Sequence, residues 1–430
     1  MTRPTAFTNA RLVDPASGYD GPGCLIVTEG VIAQVGHGPT LDALSPDMEM
    51  IDCAGAMLAP GLIDIRVKTG EPGAEPKETL KSASRAAAAG GVTSMVVQPD
   101  TDPAMDEPAV VDFVLRRARD IELVHVYAAG AATRGLDGKR IAELGLMAEA
   151  GALYFTDADK VMVDSKVFSR VLRYAAAFNR PVAHRPADPF LTAGSVATGG
   201  ELAGRLGLPS APAIAERIML ERDLALTGLT GARLIVDQIT TQDALDSLER
   251  ALAKGVQATA TASINHLCFN EVDIGDYRTF YRLDPPLRAE SDRQALIEAV
   301  ASGLVKVVTS AHTPAPAEDK RLPFAEAAPG AVGLQTLLAA LLGLYHEGRC
   351  ELIDLMRTVT LGPAELLGLP SGRLARGAPA DLVLCAVDAP VVIDANTLLS
   401  KSKNSPFDGR RLQGDVLLTV VDGRVIYRKG

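Results

Sequence analysis

Nine residues of chemically active type each stand at the end of an apolar run. Arg66 and Lys68 close "GLIDIRVK", Asp100 follows "TSMVVQP", Asp157 follows "ALYFT", and His184 ends "PVAH". Gln238 follows "RLIVD", Asp284 lies in "LDPPLR", and Ser310 and His312 follow "VKVVT". Carboxylates with imidazoles are the donor types of a hydrolytic metal centre and of acid–base catalysis. Arg66 and Lys68 break that pattern. Two apart in an extended run, they share one face. Arginine stays protonated and lysine must first lose a proton before it can ligate, so neither suits a divalent cation. A cationic pair at the end of a buried strand calls for carboxylates beside it, here Asp157, Asp100 or Asp284, or for an anionic ligand.

Such residues act together only if the elements before them converge. Apolar runs recur through the middle of the chain ("GLIDIRV", "TSMVVQP", "LVHVYAA", "ALYFTD", "PVAHR", "RLIVDQI", "VQATATAS", "VKVVTS"), with helical stretches such as "KETLKSASRAAAAG" and "TQDALDSLERALAKG" between them. Near-continuous apolar strands alternating with helices predict a parallel sheet covered by helices. Roughly eight such units over about 300 residues fit a closed (β/α)8 barrel, which gathers strand ends at one mouth. An open doubly wound sheet is the alternative, weakened because no G-x-G-x-x-G follows a first strand. Both ends of the chain read instead as short β segments, including the Asp-Gly hairpin signal in "VVDGRVIY". The expected organisation is a composite β domain from residues 1–59 plus 366–430 around a barrel of residues 60–365.

The 430 residues are 47% hydrophobic and 22% charged, with a net charge of -10. That balance fits a globular protein and argues against nucleic-acid or anionic-membrane partners. The five cysteines (Cys24, Cys53, Cys268, Cys350, Cys385) show no C-x-x-C pairing and read as free thiols in a reducing compartment. The start has no apolar h-region, and no apolar run is long enough to span a membrane; "LQTLLAALLGLY" reads as a buried helix. A cytoplasmic protein is the expectation. His37, His125, His266 and His346 show no ligand spacing and read as structural, as does His312, a loop histidine. Cys268 lacks the neighbours a nucleophile needs. "AAAAGG" reads as a helix end, since no Lys-Ser/Thr follows to make a phosphate loop.

Several segments closely resemble dihydroorotase, the pyrimidine-pathway member of the amidohydrolase superfamily. They are "APGLIDI…EPG…KET", "AAAAGGVTSMVVQPDT", "ELAGRLGLP", "DPPLR…DRQALIEAVASG", "LLGLPSGRLARGAPADLVL" and "SKNSPFDGRRLQGDVLLTVVDGRVIY". The resemblance runs from about Ile32 to the C-terminus and implies a metal-dependent hydrolase of a cyclic amide. It also implies roles that these residues do not match. Arg66 and Lys68 stand where the family has the metal-binding His-x-His, and Gln238 where it has another histidine. Ser310 stands where it has the aspartate that serves as ligand and general acid/base. Asp157 and His184 match retained ligands. Gly70, Asp100 and Asp284 stand where the family holds substrate with an arginine and two asparagines.

These departures imply a non-catalytic member with no metal or other cofactor of its own, whereas active family members use zinc. The resemblance also implies a partner, aspartate carbamoyltransferase, which such chains support structurally, and a tendency to form homodimers. One alternative is an active zinc-dependent dihydroorotase or other cyclic amidohydrolase with a mononuclear site on Asp157 and His184. Another is an anion- or nucleotide-binding module that reuses the old pocket.

Overall fold

In the computed structural model, which describes residues 4–38 and 48–430, eight parallel strands form one barrel. The strands are β1 (Leu62–Val67), β2 (Val92–Val97), β3 (His125–Ala131), β4 (Ala152–Thr156), β5 (Val182–His184), β6 (Leu234–Val236), β7 (Ala258–Ser263) and β8 (Val305–Thr309). Each pairs with the next in sequence order. Helices between them cover the outer face, as the alternating pattern requires. Local signals set their ends. The first helix, Leu80–Ala89, starts at a capping box between Thr79 and Ser82 and stops at Gly90. The "LLAALLGLYH" helix, Leu337–His346, is buried over most of its length. Among the described residues, no helix is long and apolar enough to cross a membrane.

Side chains on β1 to β8 divide between two apolar layers. Those pointing out (Leu62, Met95, Phe155, Val308) pack against the helices. Those pointing in (Ile63, Ile65, Val96, Ala129, Tyr154, Ile235, Val307) fill the barrel and meet the helix Leu361–Leu367, which plugs its floor. Tyr154 is one of the polar side chains inside. Its hydroxyl donates to the Ile65 carbonyl at 2.6 Å and accepts from Gln98 Nε2 at 2.6 Å, so burial leaves it satisfied.

Both ends of the chain share an eight-stranded sheet. The N-terminal strand Met57–Pro60 pairs antiparallel with the C-terminal strand Leu382–Val392 at its centre. Residues 1–3 and 39–47 of the N-terminal segment lie outside the described residues. Residue 366 falls within the helix that plugs the barrel floor, and Leu374, Ala378 and Ala380 pack in the sheet's own core.

The seam between β8 and β1 closes at the mouth. Lys68 N donates to the His312 carbonyl at 2.9 Å, and Val67 bridges His312. Asp64, fully buried, spans the seam: one oxygen accepts from Arg66 N at 3.1 Å, the other from Ser310 N at 3.2 Å. The "KET" and "SKNSPF" segments lock this region together. Glu78 accepts from Ser400 and from Lys401 N. Asn404 donates to the carbonyls of Thr313 (3.1 Å) and Gly330 (3.0 Å) and accepts from Ala315 N (3.1 Å), pinning the loop after β8. Asn404→Ala would strand those backbone groups, and urea unfolding should show a loss of about 2–4 kcal/mol, at about 1–3 kcal/mol per buried unsatisfied group.

Candidate functional site

Arg66, Lys68 and Arg185 meet at the barrel mouth. Arg66 projects from β1 with its side chain 4% exposed. Its Nε donates to Asp237 at 2.9 and 3.0 Å, and one terminal nitrogen donates to Asp159 at 2.6 Å. The Gln238 amide, turned with its oxygen toward the guanidinium, accepts from it at 2.9 Å. Lys68 lies 2.5 Å from Asp100 and also pairs with Asp159. Arg185, one residue past β5, holds Asp284 through both terminal nitrogens, one at 2.8 Å, and lies 3.7 Å from Asp159. Asp159 is thus the shared anion of three cations.

Electrostatics keep these groups charged. Burial alone would raise the Asp159 carboxyl, but Lys68, Arg66 and Arg185 outweigh it and hold it well below the usual carboxylate range. Asp284 is held down in the same way by Arg185. Burial would lower Arg66 and Lys68, yet the surrounding carboxylates raise both. None of these groups is tuned toward neutrality, where general acid–base catalysis works best.

The structure corrects several sequence expectations. Asp157 faces neither Arg66 nor Lys68. Its carboxylate turns away and accepts from Ala132 N (3.0 Å), Thr133 N (2.9 Å) and the Thr133 hydroxyl. Burial there pushes its pKa up. Asp284 pairs with Arg185 rather than with β1. His312 is no leftover loop residue but fully buried. Its Nδ1 accepts from Gly333 N at 3.2 Å, which places its proton on Nε2, 3.4 Å from Glu78 Oε2. Asp100 does face Lys68, as expected.

Asp159 and Asp237 were missed because of local backbone turns. Ala158, Gln238 and Ala311 adopt positive φ (53°, 60° and 50°), each at the exit of a barrel strand. Alternation fails across such a residue, so Asp157 and Asp159 diverge although they are two apart. No period-based signal could have found Asp159. Gly70 has a backbone reason to be glycine: a Cβ there would meet the Ala74 carbonyl oxygen at 1.8 Å. Ser310 caps the turn, its Oγ accepting from His312 N at 3.1 Å. Burial pushes the Cys268 thiol up to about 12, which agrees with its reading as inert.

A divalent cation needs donor atoms with free lone pairs. His184 Nδ1 bonds Asp223 at 2.6 Å, and its Nε2 accepts from Met162 N at 2.9 Å. The proton is therefore on Nδ1, and no lone pair is left over. Asp157 is spent on Thr133 and Ala132. Asp100, Asp159, Asp237 and Asp284 are already neutralised by fixed cations. These residues, as arranged, do not fit a metal ion.

Comparison with known proteins places the chain. A Dihydro-orotase-like family model matches residues 55–244, and an Amidohydrolase family model matches 228–426. The dihydroorotase of Anaplasma phagocytophilum is 38% identical, covering 98% of this chain and 95% of that protein. That of Syntrophus aciditrophicus is 35% identical, covering 97% and 98%. The chain belongs to the dihydroorotase family. Solved structures support the amidohydrolase fold. The L-hydantoinase of Arthrobacter aurescens superposes with a TM-score of 0.89 at 24% identity, covering 100% of this chain and 97% of that one. The dihydropyrimidinase of Brevibacillus agri gives 0.85 at 21%, covering 99% and 95%.

This dihydroorotase-family chain also retains a cavity of about 320 Å3 beside Asp159, Arg185 and Asp284. Two predictions follow from the charge cluster. Arg66→Met should destabilise the fold by about 3–5 kcal/mol, because it strands buried Asp237. Adding Asp237→Asn should recover part of that loss in a double-mutant cycle. The second concerns acid. A carboxyl held down in the fold contributes stability above its unfolded pKa of about 4 and loses it as pH falls further. Chemical denaturation at pH 7 and pH 3 should therefore show a larger acid loss in the native chain than in Asp159→Asn. The difference will be modest, since the Asp159 side chain is 34% exposed.

Proposed function

We propose that this dihydroorotase-family chain does not hydrolyse a cyclic amide and serves as a structural subunit that assembles with aspartate carbamoyltransferase. The observation behind this reading is the occupation of the barrel mouth. The Arg66 guanidinium and Lys68 ammonium stand among Asp159, Asp237 and Asp100, where a hydrolase of this kind would place a metal-activated water. Without that water, an amide carbon at neutral pH lacks a competent nucleophile. With Asp100, Asp159, Asp237 and Asp284 paired to cations and Asp157 held by Thr133 and Ala132, none of these carboxylates is a free base to replace it. The partner rests on the family resemblance together with a fold left whole around an altered site, and a homodimer of the chain rests on the resemblance alone.

A second reading, an active zinc-dependent cyclic amidohydrolase, draws on a specific fact: the relatives at 35–38% identity over nearly the whole chain are named dihydroorotase. It requires His184 and Asp157 to give up their present partners. An anion-binding role has less support, because Arg66, Lys68 and Arg185 are already satisfied by carboxylates that an anion would have to displace.

Dihydroorotate hydrolysis by the purified chain, assayed with and without added zinc, should be indistinguishable from buffer. Sedimentation of the chain with aspartate carbamoyltransferase should show a joint complex. Zinc-restored turnover would overturn the proposal, and two separately sedimenting proteins would remove its partner.

A further inference from the structure

At the floor of the barrel, opposite the charge cluster, three side chains from distant parts of the chain converge. His125 opens β3. Asp381 precedes the C-terminal strand Leu382–Val392 and is 256 residues from His125 in sequence. Asp422 lies in the Asp-Gly hairpin turn between the last two strands, with φ 47°. His125 Nε2 lies 3.3 Å from Asp381 Oδ1 and 3.6 Å from Asp422 Oδ1. One ligand atom from each residue lies within 4.8 Å of the others. His125 shows no ligand spacing in the sequence, because partners this remote leave no spacing signal.

We propose that His125, Asp381 and Asp422 form a zinc-class divalent cation site that ties the terminal β sheet to the barrel floor. Three observations support it. First, the imidazole holds Asp381 through a long hydrogen bond of 3.3 Å and stands 3.6 Å from Asp422. A charge-assisted hydrogen bond would be about 2.7–2.9 Å long, and both separations exceed that. Second, the separations suit a shared ion. In a tetrahedral zinc site with bonds of about 2.0–2.2 Å, neighbouring ligand atoms stand about 3.3–3.6 Å apart. Third, the site combines a rigid half with an adjustable one. The Asp381 side chain is 2% exposed and fixed by accepting from Asp422 N at 3.0 Å. The Asp422 side chain is 51% exposed and free to close the remaining edge.

A groove of about 230 Å3 lined by His125, Tyr127, Asp422 and Arg424 gives access and room for water at the fourth position. Arg424 and Arg119, which line the groove, oppose binding. The carboxylates of Asp381, Asp422 and Glu122 against those two guanidiniums leave the balance negative. The ion would brace the junction where Gly61 N, just ahead of β1, donates to the Asp381 carbonyl at 2.8 Å. Zinc here supplies no catalysis, and the site stands apart from Arg66 and its partners. Zinc found in the purified chain therefore does not by itself signal a hydrolytic centre.

The test is zinc titration of the full chain, followed by calorimetry and thermal unfolding, with Asp422→Asn, His125→Gln and Asp157→Asn as variants. Saturable binding near one equivalent is expected, with a midpoint that rises with zinc concentration. Asp422→Asn and His125→Gln should each weaken binding by about tenfold or more while the zinc-free midpoint of Asp422→Asn stays close to native. Asparagine tolerates the turn's positive φ, so that variant should fold. Absence of saturable binding overturns the proposal. So does binding lost in Asp157→Asn but kept in the other two, which would put the ion at the barrel mouth.

Discussion

The arrangement at the barrel mouth depends on one ion-pair hub, the Asp159 carboxylate shared by Arg66, Lys68 and Arg185. Burying a guanidinium or an ammonium costs several kcal/mol, and only close, well-directed carboxylates offset that. Arg66 is almost fully enclosed, so its position requires Asp237 and Asp159. Lys68 on the same face then requires Asp100. Arg185 requires Asp284. Each cation fixes the next anion, and the cluster is compact because strand ends of a closed barrel leave no other direction to point.

The hub also explains why the strained backbone matters. Ala158, Gln238 and Ala311 hold positive φ at three strand exits. Such conformations cost non-glycine residues of order 1–3 kcal/mol each and persist only where the surroundings over-determine them. Here the turns aim Asp159 and Asp237 inward and bring the loop at His312 against β1. This geometry serves a set of internal ion pairs. Around that set, Asp157 and His184 are held by Thr133 and Asp223.

The seam adds a second constraint. Asp64 and Glu78 are both fully buried, and both carboxylates are satisfied by groups from across the chain. Asp64 joins β1 to the turn after β8. Glu78 joins the first βα loop to the C-terminal segment. The "KET" and "SKNSPF" segments, which stood out as family signatures, therefore have a mechanical role independent of catalysis: they close the barrel and hold the loop after β8.

The sequence by itself determined the barrel, because strand and helix periods are local and eight units leave few ways to bury both sheet faces. It also determined that Arg66 and Lys68 share a face and need carboxylates, since side-chain alternation and charge are properties of the residues themselves. The sheet shared by both ends was legible from β patterning alone. Only the tertiary structure decided which carboxylates answer the two cations. Asp159 replaces Asp157 because a single left-handed residue, Ala158, reverses the expected facing. Asp237 enters because Gln238 turns beside it. The commitment of both His184 nitrogens, the burial of His312 and the meeting of His125 with Asp381 and Asp422 also lay beyond sequence reasoning. Each depends on where distant segments pack, and neither residue type nor spacing encodes that distance.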